Sequence, residues 1–269
     1  MVDDRVVLVT GAASGIGRHL VTALVERGAR VLATDVDEAG LFAASEEAYW
    51  PPALVVRRGL DVISGTQWEE AIAAVLARWG RIDLGLLVAG YLRPGRFHEA
   101  EEAEIHRHLD VNTKGVILGA RVIAREMVRQ RHGHLVAIGS LASLAPVPGL
   151  ALYTASKFAV RGFCLAIAEE LAPHNVAVSV LLPDAVETPM LEQQRDHEEA
   201  ALTFSGLRSL TVEDIERALF EHVLVDRPLE VSLPTYRGAL AKAAGVLPDT
   251  ARRITPLLRA LGRYRQRQR

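Results

Sequence analysis

The chain has 269 residues, 49% of them apolar and 24% charged, which suits one globular domain with a sizeable core and excludes a disordered or collagen-like chain. The formal charge of −2 offers nucleic acid no general attraction, so no nucleic-acid partner is expected. The single cysteine, Cys164, excludes an intramolecular disulfide and any cysteine-based metal cluster and points to a reducing, cytoplasmic setting.

Asp3 and Asp4 lead straight into an apolar run and lack the pattern of a secretory signal, so export is not expected. Arg5 to Thr10 reads as a strand, a glycine-rich turn follows, and Ile16 to Arg27 has the apolar spacing of a helix. The alternation continues with strands at Arg30–Asp35 and Ala53–Arg57 and helices at Glu38–Tyr49 and Gly65–Trp79. Further strands are predicted at Asp83–Ala89, His134–Gly139, Val176–Leu182 and Leu229–Leu233. Between them lie helices at Glu99–Gln130, broken near Asp110, at Leu152–Ala172, and within Glu187–Leu224. The uncharged stretch from Leu135 to Ser156 is interrupted by Pro146, Pro148 and two glycines, and fits a buried strand and loop better than a membrane span.

Runs such as Val6-Val7-Leu8-Val9 are apolar at successive positions, which implies burial on both faces of a parallel sheet. The expected fold is a single Rossmann-type, doubly wound parallel α/β sheet of about seven strands flanked by helices. It is expected to occupy residues 1–250, with a substrate lid at about 187–210 and a basic tail at 251–269. That tail has seven arginines and no acidic residue. It could touch anionic lipid or an acidic partner, but a solvated terminus is the expected state.

Thr10-Gly11-Ala12-Ala13-Ser14-Gly15-Ile16-Gly17 lies between the first strand and the first helix. Glycines there let the backbone turn sharply against a pyrophosphate, whose charge the amides and dipole of the helix offset. Asp35 closes the second strand, where a carboxylate can accept hydrogen bonds from a ribose. Tyr153 and Lys157 sit four residues apart at the start of a predicted helix and share a face. Bringing a tyrosine from pKa ~10 to neutrality needs about 4 kcal/mol, which a cation at about 4 Å supplies in an effective dielectric of about 20. Ser140 ends the strand before that helix, at the carboxyl edge where ligands of such sheets collect, and Asn112 lies at the break in the preceding helix. His19, His98, His106, His108 and His132 are scattered over loops and helix surfaces, are assigned to solvent, and suggest no metal site.

With these residues in this order, the chain resembles the short-chain dehydrogenase/reductase family over about Val6 to Met190. The resemblance implies an oxidoreductase with an Asn112, Ser140, Tyr153 and Lys157 tetrad. In it Tyr153 is the acid/base, Lys157 lowers its pKa and binds the nicotinamide ribose, Ser140 orients the substrate oxygen, and Asn112 holds a relay water. It implies cofactor contacts at Gly11, Ser14, Gly15, Ile16, Gly17, Asp35, Asp61, Val62, Ala89, Gly90, Tyr153, Lys157, Pro183 and Thr188. The cofactor is expected to be NAD, because Ala13, Ser14, Val36 and Asp37 stand where NADP-dependent members place arginine or lysine. An alcohol or ketone substrate is implied, and so is a homodimer or homotetramer built on two long helices through Gly119, Ala120, Ala159, Gly162 and Ala166. Two departures stand out: Leu87-Val88 replaces the family's usual Asn-Asn, and Asp184 replaces a glycine beside the nicotinamide. Met190, Leu191, Leu202, Phe204 and Leu207 make the lid apolar and suggest a small lipid-like or cyclic alcohol. A cofactor-binding regulatory or scaffold protein with little catalysis is the alternative reading.

Overall fold

In the computed structural model, which describes residues 2–268, seven strands form one all-parallel sheet in the order β3-β2-β1-β4-β5-β6-β7. They are β1 (Val6–Thr10), β2 (Arg30–Asp35), β3 (Val55–Gly59), β4 (Leu84–Leu87), β5 (Gly133–Ile138), β6 (Val176–Pro183) and β7 (Glu230–Leu233). The chain starts at the centre, winds outward to β3, then crosses back beyond β1 to β4. That reversal opens a crevice at the carboxyl ends of β1 and β4, where open α/β sheets bind ligands.

Successive residues of β1 serve opposite cores. Val6 and Leu8 pack with Trp68, Ile123 and Met127 on one face, while Val7 and Val9 pack with Leu20, Leu24 and Ile215 on the other. Burial on both faces is what an unbroken apolar strand requires. The covering helices are α1 (Gly15–Glu26), α2 (Glu38–Glu47), α3 (Gly65–Trp79), α4 (Glu102–Leu109), α5 (Gly115–Gln130) and α6 (Ala151–Leu171). Local chemistry sets several ends: the Asp37 side chain accepts from Gly40 N to cap α2, Ser64 caps α3 through Gln67 N, and Gly80 at φ 75° ends α3.

Two strand boundaries differ from expectation for identifiable reasons, and the expected helix break has a definite geometry. β3 begins at Val55 rather than Ala53 because the amides of Leu54 and Val55 both turn onto the Pro51 carbonyl. β4 ends at Leu87 because the amides of Val88 and Ala89 leave the ladder for Thr10 Oγ1, at 2.9 and 3.1 Å. The break near Asp110 is a widened turn over Asp110–Lys114, in which the Gly115 amide reaches the Asp110 carbonyl five residues back.

The C-terminal region departs most from expectation. After the short helices α7 (Pro189–Glu192), α8 (Val212–Ala218) and α9 (Leu224–Asp226), β7 is followed by α10 (Thr235–Val246) and α11 (Pro248–Gln266). The arginine-rich stretch is therefore not a solvated tail beyond residue 250. It belongs to α11, which packs along the 3₁₀ segment Glu198–Ser205. A Cβ at Gly262 would lie 1.8 Å from the Ala201 carbonyl oxygen, so only glycine permits this approach. Arg265 donates to Ser205 O at 2.7 Å, and Gln266 Nε2 donates to the carbonyls of Gln194, Arg195 and His197 at 3.0, 2.7 and 2.9 Å.

Two further expectations are corrected. His108 is buried, with Nδ1 on Glu104 O and Nε2 accepting from Arg93 N, and does not face solvent. Gly119 and Ala120 are spent inside the subunit: a Cβ on Gly119 would lie 2.5 Å from Trp68, so neither is free for a helix contact between copies.

Candidate active site

The glycine turn joins β1 to α1. Gly11 (φ 69°) and Gly15 (φ 52°) adopt the left-handed backbone that glycine takes at no cost. At Gly17 the constraint is close approach: a Cβ would sit 2.0 Å from the Gly11 carbonyl oxygen, and backbone cannot swing away. Gly17→Ala is therefore expected to lower stability by about 1–3 kcal/mol; thermal unfolding unchanged from wild type would contradict this. Ser14 at the N-cap of α1 makes no side-chain capping bond, and the first turn holds no acidic residue, so its amides face an anion without competition.

Asp35 turns back toward this loop. Its Oδ2 accepts from Ala13 N at 2.9 Å and Oδ1 from Asp37 N at 3.0 Å, so the carboxylate is pinned at the cavity wall. Capping of α2 falls to Asp37, leaving Asp35 free of that role. Asp61 Oδ1 accepts from Ile63 N at 3.1 Å, presenting Asp61 and Val62 at the same wall.

The widened turn before α5 fixes the catalytic helix. Asn112 is fully buried: Oδ1 accepts from Tyr91 N at 2.6 Å, and Nδ2 donates to Tyr91 O at 2.8 Å and to Ser156 Oγ at 2.9 Å. Its side chain is thus spent on tying the strand-end loop after β4 to α6, and it lies behind the cavity wall. With Thr10 Oγ1 holding the Val88 and Ala89 amides, these bonds stand where Leu87 and Val88 offer no polar side chains of their own.

Tyr153 and Lys157 rise from the first turns of α6, both buried against the cavity, with Lys157 Nζ 5.6 Å from the phenol ring centroid. Nζ donates to Ile138 O at 2.8 Å. Burial pushes the tyrosine up to about 12, which the Ser140 hydroxyl facing it partly opposes, and lowers Lys157 to about 8. Ser140 Oγ accepts from Ala142 N at 3.1 Å, which leaves its one hydroxyl hydrogen to be given to the Tyr153 oxygen or, in its place, to a substrate oxygen.

One continuous cavity of about 1260 Å³ joins these parts. Each of the expected cofactor contacts from Gly11 to Thr188 lines it, as do Ser140, Tyr153 and Lys157; of the tetrad only Asn112 does not. Around Tyr153 its wall is apolar: Leu92, Ala142 and Leu150 form a cluster with the tyrosine, with Val147 and Met190 packed against it. Met190, Leu191 and Leu202 of the expected lid reach the cavity, but Phe204 packs into the body and Leu207 is exposed. Asp184 does not present a free charge there. Its carboxylate pairs with Arg237 Nε at 2.6 Å, and burial raises its pKa against that arginine. Arg237 and the α10–α11 residues Leu240, Ala244, Ile254 and Leu258 complete the wall and were not foreseen, although Ile254, Leu257, Leu258 and Leu261 already show helical spacing. Among the described residues, no group of three or more His, Cys, Asp or Glu could hold a metal ion.

Residues 5–199 match the family model described as short chain dehydrogenase. The chain belongs to this family. A 3-oxoacyl-acyl-carrier-protein reductase of Thermotoga maritima is 34% identical over 191 residues, covering 71% of this chain and 78% of that protein. Cyclopentanol dehydrogenase of a Comamonas species is 34% identical over 212 residues, 76% of this chain and 82% of that one. A Burkholderia phymatum short chain dehydrogenase/reductase in complex with NAD superposes with a TM-score of 0.80 at 25% identity, covering 90% of this chain and 92% of that chain. This short-chain dehydrogenase is accordingly an oxidoreductase of alcohol or carbonyl substrates. The family match stops at residue 199, so α10 and α11, which close the cavity, lie beyond it.

Proposed function

We propose that this short-chain dehydrogenase interconverts an apolar alcohol, cyclic or lipid-like, with its carbonyl, using NAD(H). The observation that carries the cofactor is Asp35. Its carboxylate is pinned at the cavity wall, where it suits ribose hydroxyls and repels a 2′-phosphate. Arg18 and Arg58 do not line the cavity and pair with Glu47 and Glu70 at the surface. The tight glycine turn, which lines the cavity, and the free amides of α1 fit a pyrophosphate.

When bound, NAD⁺ would supply the hydride acceptor. The chain's own residues do the rest. Ser140 donates to the substrate oxygen and fixes its distance from Tyr153. The Tyr153 oxygen takes the hydroxyl proton in oxidation and returns it in reduction. Lys157, with its ammonium held by Ile138 O, acts on the phenol through space. Its positive charge, 5.6 Å from the centroid of the ring, favours the phenolate over the phenol. Asn112 acts as a positioning residue that holds α6 against the loop after β4. The apolar wall around Tyr153 supports an apolar substrate, and so does the name of the Comamonas relative.

A homo-oligomer through α6 is part of this reading. Phe158 is 42% exposed, and Ala159, Gly162 and Ala166 beside it are exposed on a face where a Cβ at Gly162 would meet nothing within 4 Å.

Steady-state kinetics with both cofactors on wild type and Asp35→Ala test the cofactor assignment. NAD is expected to be preferred by at least about tenfold in kcat/KM, corresponding to about 1.4 kcal/mol, and the variant to lose that preference. Equal efficiency in wild type, or selectivity untouched in the variant, would contradict it.

A further inference from the structure

We propose that the outer face of α11, with the α10–α11 corner, docks on an anionic lipid surface. Ile254, Leu257, Leu258, Leu261 and Tyr264 recur at intervals of three and four residues and so form one stripe along the helix. All five are exposed, Leu257 at 72% and Tyr264 at 61%, and Val246 and Leu247 extend the apolar surface across the corner at 78% and 57%. This face is not fraying helix. The adjoining side is locked to the body by the close approach of Gly262 to Ala201 and by the bonds of Arg265 and Gln266 to carbonyls of the segment beneath. The packing therefore holds a contiguous apolar stripe in the open.

Charge decides what covers it. Along the Tyr264 edge of the stripe stand Arg253 and Arg267, both exposed, and the chain holds no acidic residue after Asp249. Two copies meeting by a two-fold axis through this stripe would set arginines against arginines, because an isologous contact pairs a patch with itself. An anionic lipid surface instead neutralises them while the leucines enter the acyl boundary. An apolar face and a basic flank are the two signals that stable peripheral binding needs. Ile254 and Leu258 also line the cavity, so the docked face borders its mouth. The docking is independent of which cofactor or substrate the site takes.

The test is co-sedimentation of the full chain with vesicles of phosphatidylcholine alone and of phosphatidylcholine mixed with phosphatidylglycerol. Binding is expected only to the mixed vesicles, weakened about tenfold or more by Leu257→Glu with Leu261→Glu, by Arg253→Glu with Arg267→Glu, and by raised salt. None of these four side chains lines the cavity, so unfolding temperature and NADH affinity should stay at wild-type values and separate lost docking from lost folding. The proposal is overturned if wild type ignores the anionic vesicles or if both double variants bind as wild type does. It is also overturned if light scattering shows that Leu257→Glu with Leu261→Glu splits an oligomer of a protein that binds no vesicles, which would make a second copy the occupant.

Discussion

Tyr153→Phe is expected to lower kcat about a thousandfold while leaving the NADH dissociation constant within about twofold of wild type. The substitution removes one hydroxyl and keeps the ring, which packs with Leu92, Ala142 and Leu150. The cavity wall therefore survives, and what disappears is the atom that exchanges the proton. Burial, only partly opposed by the Ser140 hydroxyl, holds this phenol up at about 12, so in the free chain it is a poor base. Its usefulness rests on the positive charge and the Ser140 hydroxyl gathered around it. Stopped-flow or steady-state kinetics give kcat, and a fluorescence titration gives NADH affinity. Turnover within about tenfold of wild type would remove Tyr153 from the mechanism.

Lys157→Met is expected to abolish measurable turnover and yet to stabilise the fold near neutral pH. The side chain is buried and its pKa falls from 10.5 to about 8, so holding it as an ammonium at pH 7 costs the folded state about 3 kcal/mol. Losing the bond to Ile138 O returns about 1 kcal/mol of that, leaving a net gain of about 2 kcal/mol for the variant. Because the folded pKa lies below the unfolded one, the unfolded chain holds more protons between pH 8 and 10.5, and wild-type stability rises across that window. The advantage of the variant should be full below pH 8 and fade toward pH 10.5. Urea unfolding of both proteins at neutral and alkaline pH measures it. A variant less stable than wild type at pH 7, with a gap that ignores pH, would show that the lysine is not under strain.

The parts of the site legible in the sequence are those whose chemistry restricts residue type. Gly11 and Gly17 stand out because a Cβ there would strike backbone, Gly15 because of its left-handed backbone, and Asp35 because a carboxylate at a strand end beside that turn suits a ribose. Tyr153 and Lys157 are readable from helical spacing. Asn112 was readable as a helix break, but its partners were not, since Tyr91 and Ser156 come to it only through tertiary packing. Likewise the cap on Asp184 comes from Arg237, 53 residues further along the chain, and nothing local announces it. The arginines after Ala251 mask the apolar stripe between them, so the sequence suggests a solvated tail where the structure has a packed helix. Two-sided burial made the seven strands visible as runs, whereas their ends depended on where single amides turned, as at Pro51 and Thr10.

The central claim, an NAD-dependent alcohol–carbonyl oxidoreductase working through Tyr153, is tested most directly by following NADH absorbance after mixing the enzyme with NAD⁺ and a panel of secondary alcohols. The panel should run from cyclic and lipid-like alcohols to sugars and hydroxy acids, each assayed in parallel with Tyr153→Phe. The account predicts NADH formation with the apolar alcohols, at least about tenfold slower with NADP⁺, and none above background in the variant. Turnover confined to polar sugars or hydroxy acids, faster reduction of NADP⁺, or equal rates in the variant would contradict it.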